Sequence, residues 1–139
     1  MIVVDASAMA ASLLDAGEVG EWCRDELRTY DLAAPEIMFL EVANVIRRAE
    51  LAGHLKSESA HAAFLDLSDT PVQYWEHSVL GGRIWELRRA VTAYDASYVA
   101  VAEAIDAPLM TLDARLATAP GPRCEFRTPP GAQVHGPRS

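Results

Sequence analysis

The chain has 139 residues, a formal charge of −8 and a half-hydrophobic composition, which is enough for one enclosed core and too little for two domains of ordinary size. Such a composition excludes a disordered chain, and the charge speaks against indiscriminate attraction to nucleic acid. The apolar start is cut by Asp5 with no basic segment before it, and no later stretch crosses a bilayer without charges, so neither signal peptide nor membrane span is expected and the location is cytoplasmic.

In chain order, residues 2–4 are three β-branched residues and predict a buried strand. Residues 7–14 and 18–30 read as helices with Gly17 between them, and 32–34 as a second strand. Pro35 suits the first turn of a long helix reaching about residue 52, where a fixed φ and a missing N–H are harmless, and Gly53 ends it. Ser57 is expected to cap a helix through about residue 67, 71–75 to form a strand, and 78–90 a helix weakened by Gly81 and Gly82. Another helix covers 95–105 and a strand 109–112. Near the end, "CEFR" at 124–127 suggests an edge strand in a Pro- and Gly-rich loose tail. Short β-rich runs alternating with longer helical ones predict an α/β domain on a mainly parallel sheet of four or five strands flanked by helices.

Four acids stand out. Asp5 and Asp113 each follow a buried strand, and ligands of open α/β sheets bind beyond the carboxyl ends of strands. Glu41 interrupts the apolar helix "IMFLEVANVI", with Asn44 one turn on, and Asp95 begins the apolar "DASYVAVAEA". Each has a plainer reading: Asp5 and Asp95 as helix caps, Asp113 as a turn former, Glu41 with Asn44 as a narrow wetted stripe. What weighs against it is that each acid lies in the most apolar segment of its neighbourhood, where an unpaired carboxylate is costly to desolvate.

Four carboxylates brought together repel one another unless a cation joins them, and an all-oxygen set suits a hard ion such as Mg²⁺ or Mn²⁺. Cys23 and Cys124 have no metal-finger spacing, and His54, His61, His77 and His135 show no pairing, so zinc is disfavoured. A hard-ion site suits phosphodiester hydrolysis, since the ion lowers the pKa of water and neutralises the leaving oxygen. The basic residues are almost all Arg, with pairs at Arg47–Arg48 and Arg88–Arg89; Arg is the better phosphate ligand, although such pairs more often face solvent.

"MIVVDASAM", "APEIMFLEVANVIRR", "TAYDASYVAVAEA" and "PLMTLDARLA", in this order and spacing, resemble the PIN-domain ribonucleases, most closely the VapC toxins of bacterial toxin–antitoxin pairs. The likeness spans about residues 1–119, which places a PIN domain at 1–120 and leaves 121–139 as edge strand or loose tail. It implies that Asp5, Glu41, Asp95 and Asp113 hold the divalent metal, Mg²⁺ with Mn²⁺ as substitute, and form the catalytic set. Ser7 matches the family's small hydroxyl residue after the first acid, which would orient that acid or a water, with a plain helix-capping role equally open; Asn44 matches its polar position, from which it would steady Glu41. Arg115 follows the last acid, where it could touch a phosphate, and Arg48 lies two helical turns beyond Glu41; for both the solvent-facing reading is the stronger one. The implied activity is RNA cleavage by a homodimer silenced by a cognate VapB-type antitoxin.

Two other functions compete. Phosphoacceptor domains and aspartate-nucleophile phosphatases also place acids at strand ends, but they need a lysine by the pocket, and the phosphatases a second acid two residues after the first. Here Ser7 stands at that place, and Lys56, the lone lysine, falls at a helix start. A non-catalytic PIN module that scaffolds RNA or a protein partner is the other, and the intact acid set argues against it.

Overall fold

The computed structural model describes residues 1–131; the end of the expected tail, including His135, lies outside them. Among the described residues five strands form one parallel sheet: β1 (Ile2–Val4), β2 (Leu32–Pro35), β3 (Gln73–Trp75), β4 (Leu109–Met110) and β5 (Phe126–Arg127), in the order β3-β2-β1-β4-β5. β1 is central and its three residues are fully buried, so its unbroken β-branched run follows from apolar cover on both faces. The strand expected within "CEFR" is present as β5, on the β4 edge.

Among the described residues seven α-helices connect and cover the sheet: α1 (Ala6–Leu14), α2 (Glu18–Thr29), α3 (Ile37–Leu51), α4 (Ser57–Asp69), α5 (Gly81–Glu86), α6 (Ala93–Ala104) and α7 (Ala114–Ala117). Helix α6 packs on β1, β2 and β4, while α1 packs with α2, α3 and α4. Every residue of α6 from Ala96 to Ala102 is buried, which explains a sequence apolar all round rather than striped. Among the described residues no helix is long and apolar enough to cross a membrane.

Four local expectations change. Pro35 closes β2 opposite Trp75 instead of entering α3; its missing N–H falls at the strand's end, and the next donor, Glu36 N–H, reaches the Trp75 carbonyl at 3.0 Å. Ser57 does not cap α4, because its hydroxyl donates to Glu50 at 2.8 Å and Lys56 occupies the capping position. The single helix expected over 78–90 breaks into a 3-10 turn (His77–Val79) and the short α5, as the poor helix propensity of Gly81 and Gly82 allows. Helix α6 starts two residues before Asp95, because the Thr92 hydroxyl accepts the Asp95 N–H at 3.1 Å and sets the start.

Candidate active site

All strands run parallel, so their carboxyl ends open on one side of the sheet. Asp5 lies there immediately after β1 and caps α1: its Oδ1 accepts the Ala8 N–H at 3.0 Å and the Ser7 hydroxyl at 2.6 Å. The Ser7 oxygen in turn accepts the Leu112 N–H at 3.0 Å, tying the exit of β1 to the exit of β4. Asp113 caps α7, accepting the N–H groups of Arg115 at 2.9 Å and Leu116 at 3.4 Å. Its own N–H donates to the hydroxyl of the fully buried Thr111 at 3.0 Å. The capping role expected of Asp5 is therefore present, the one expected of Asp95 belongs to Thr92, and Asp113 caps a helix where a turn was expected.

Glu41 projects from α3 and accepts the hydroxyl of Tyr98 on α6. Asn44 is exposed and makes no hydrogen bond to Glu41 among the described residues, so the steadying role expected of it falls to Tyr98. Asp95, half-buried in the first turn of α6, is the electrostatic hub. Burial, then the charges of Asp113 and Glu41, raise its pKa above the ordinary value. Asp5 is almost wholly buried and is pushed up to about 6, chiefly by desolvation, with the Ser7 and Thr111 hydroxyls and the Ala8 N–H pulling it back and Asp95 adding to the rise.

Asp95 thus feels Asp113 and Glu41, Asp5 feels Asp95, and none of the four forms an ion pair with a basic side chain among the described residues. The set is drawn together without being clenched: among the described residues no three acid, His or Cys side chains stand close enough to hold an ion as they are. The donor chemistry fits a hard divalent cation, since every donor is oxygen and among the described residues no basic side chain pairs with any of the four carboxylates. Cys23 is buried in α2 with its thiol pushed up to about 11 by burial and then by the charge of Asp5, and His54 and His61 are exposed.

Arg115 is exposed and lines a cleft with Asp95 and Asp113, while Arg48 is exposed in the last turn of α3. Three supporting residues escaped the sequence reading. Tyr98 and Thr111 look like ordinary members of apolar segments, whereas Thr92, three residues before Asp95, carries a readable helix-start signal.

Residues 2–122 match the PIN domain family. Ribonuclease VapC1 of Mycobacterium tuberculosis is 40% identical over 126 residues, covering 90% of this chain and 95% of its own. Among solved structures, M. tuberculosis VapC20, a sarcin–ricin-loop-cleaving toxin, superposes with a TM-score of 0.60 at 19% identity over 78% of this chain and 87% of its own. VapBC2 of Rickettsia felis, bound to a DNA fragment from its promoter, gives 0.63 at 14% identity over 92% and 98%. The latter two share the fold; the closeness to VapC1 goes further, and with the family match it means that the chain belongs to the PIN-domain family, among the VapC ribonucleases.

Proposed function

We propose that the protein is the toxin of a toxin–antitoxin pair, an endoribonuclease that hydrolyses RNA phosphodiester bonds using a divalent cation held by Asp5, Glu41, Asp95 and Asp113. The observation that carries this is Asp5 and Asp113 at the carboxyl ends of β1 and β4, with Asp95 on α6 close enough to feel Asp113 and Glu41 and to be felt by Asp5, and no basic partner to any of the four among the described residues. Mg²⁺ is the ion that suits the all-oxygen donors, with Mn²⁺ as substitute. When bound, such an ion supplies Lewis acidity, which makes water nucleophilic near neutral pH and offsets charge on the leaving oxygen.

The chain's own residues prepare that chemistry. Ser7 and Ala8 N–H fix one oxygen of Asp5, and Tyr98 fixes one oxygen of Glu41, which leaves the second oxygen of each without a bond to these partners. Thr92 anchors the first turn of α6 and so the backbone of Asp95. Asp113 and Arg115 share α7 and its cap, which sets a guanidinium beside the carboxylate cluster where a phosphate enters.

The partners that follow are RNA, a VapB-type antitoxin of the kind the R. felis VapBC2 pair contains, and a second copy of the chain in a homodimer; the setting is the cytoplasm. The test is cleavage of a labelled mixture of structured RNAs with Mg²⁺, Mn²⁺ or EDTA, beside Asp95→Asn purified identically. Discrete products that need metal and vanish in the mutant are expected. Folded wild-type protein that cuts nothing with either ion would overturn the reading in favour of a non-catalytic scaffold.

A further inference from the structure

In a chain of formal charge −8, one cleft of about 480 Å³ beside Asp95 and Asp113 is lined by three arginines, Arg88, Arg89 and Arg115. All three are exposed, and among the described residues none is paired with a carboxylate. Arg83 and Arg127, by contrast, are committed to Glu103 and Glu26. The cleft therefore holds unpaired charge of both signs, acids on one part and guanidiniums on another. A phosphodiester chain approaching a cation-loaded acid site needs that division, because its other phosphates must rest on positive groups away from the ion.

Arg88 does a second thing. Its Nη1 donates to the Trp85 carbonyl at 2.8 Å, and its guanidinium lies 4.7 Å from the centre of the Trp85 ring. Trp85 nevertheless remains 68% exposed. An indole so open adds little to the core, whereas a flat ring backed by a cation is a surface on which an unstacked nucleobase lies.

We propose that Arg88, Arg89 and Arg115 carry the phosphates of a single-stranded RNA across the open side of the acid cleft while Trp85, backed by Arg88, takes an unpaired base flanking the cut. This rests on the nuclease reading above and deepens it to a substrate class. A base inside a duplex is already stacked on its neighbours and has no free face for Trp85, so looped or unpaired RNA is selected.

The experiment measures fluorescence anisotropy of a short labelled single-stranded RNA and of a hairpin stem, using the cleavage-dead Asp95→Asn protein as parent and adding Trp85→Ala, Trp85→Phe or Arg88→Ala. Trp85→Ala is expected to weaken single-strand binding about tenfold, Trp85→Phe to restore most of it, and the stem to be indifferent to both. Arg88→Ala is expected to lower the slope of log affinity against log salt by about 0.7, the share of one phosphate on a single strand. Single-strand affinity unchanged in Trp85→Ala overturns the proposal. So does an equal loss for strand and stem accompanied by a change in sedimentation, which would make Trp85, with the exposed Val79 and Tyr94, a contact between copies of the chain. Cleavage by wild-type protein is scored separately, so Trp85-dependent binding without cleavage leaves the shelf standing and removes only the nuclease.

Discussion

The Tyr98 hydroxyl donates to Oε1 of Glu41, joining two helices across a sequence separation of 57 residues. Tyr98 is 2% exposed, and burial together with the Glu41 carboxylate pushes its phenol well above the ordinary value, so it remains a donor at any working pH. Tyr98→Phe keeps the ring and releases the carboxylate. The loss of a hydrogen bond to a charged group, about 1.5–3 kcal/mol, is expected to lower kcat/KM by roughly tenfold or more while circular dichroism shows an intact fold. Full activity in the mutant would mean that Glu41 is positioned by something else.

Asp5 has an unusual pH signature. Its pKa is about 6 in the folded chain against an ordinary 3.8, so between those values the folded form holds a proton that the unfolded form has lost. Metal-free stability contributed by this group is therefore complete below about pH 4 and lost as pH rises through 6. Asp5→Asn keeps an acceptor for Ala8 N–H and removes the buried charge. In EDTA it is expected to exceed wild type in urea stability above neutral pH by a margin of the order of 3 kcal/mol, shrinking towards zero near pH 4. A margin independent of pH would show that the gain has another source.

Glu41 and Glu50 share α3, yet only Glu41 is sensed by Asp95, while Glu50 accepts the Ser57 hydroxyl at 2.8 Å. Adding Mn²⁺ is expected to raise the melting temperature of wild type and of Glu50→Gln alike. Glu41→Gln should lose most of that rise and about a hundredfold or more in metal-dependent cleavage, since it removes a ligand charge. Equal behaviour of the two variants would place the ion elsewhere.

Gly20 is fixed by space. A Cβ added there would stand 1.9 Å from the Asp15 carbonyl oxygen, a backbone atom that cannot swing aside, and the Gly20 N–H already donates to the Asp15 carboxylate at 3.1 Å. Gly20→Ala is expected to cost about 1–3 kcal/mol or more as the corner between α1 and α2 is forced open. At Gly81 nothing lies within 4 Å of an added Cβ, and Gly81→Ala should leave stability unchanged or raise it by about 0.5–1 kcal/mol through helix propensity. Thermal melts of the two side by side decide the point.

What was legible in the residues follows physical locality. The β-branched run of β1 and the apolar α6 announce burial because their composition makes no sense in water, and Asp5 at the end of the first and Asp95 in the second stand out there as charges, as Glu41 does in the apolar α3 and Asp113 after β4. Tyr98 and Thr111 were hidden because their polar atoms matter only to partners that the fold brings near, and in the chain each is one more core residue. Local competition explains the rest. Thr92 and not Asp95 starts α6, Glu50 claims the hydroxyl of Ser57, and Pro35 fits the end of β2 as comfortably as a helix entrance.

The strand order has a consequence for how the protein comes into being. Because β1 sits centrally between β2 and β4, the carboxylate cluster takes Asp5 and Glu41 from one half of the chain and Asp95 and Asp113 from the other. A growing polypeptide on the ribosome can form β1 beside β2 early, but the fourth acid emerges only after β4 has been made. Truncated translation products ending before residue 113 lack that acid. A cell that makes this protein is exposed to the complete cluster only after β4 has been made, by which point residues 1–112, with the other three acids, already precede it in the growing chain.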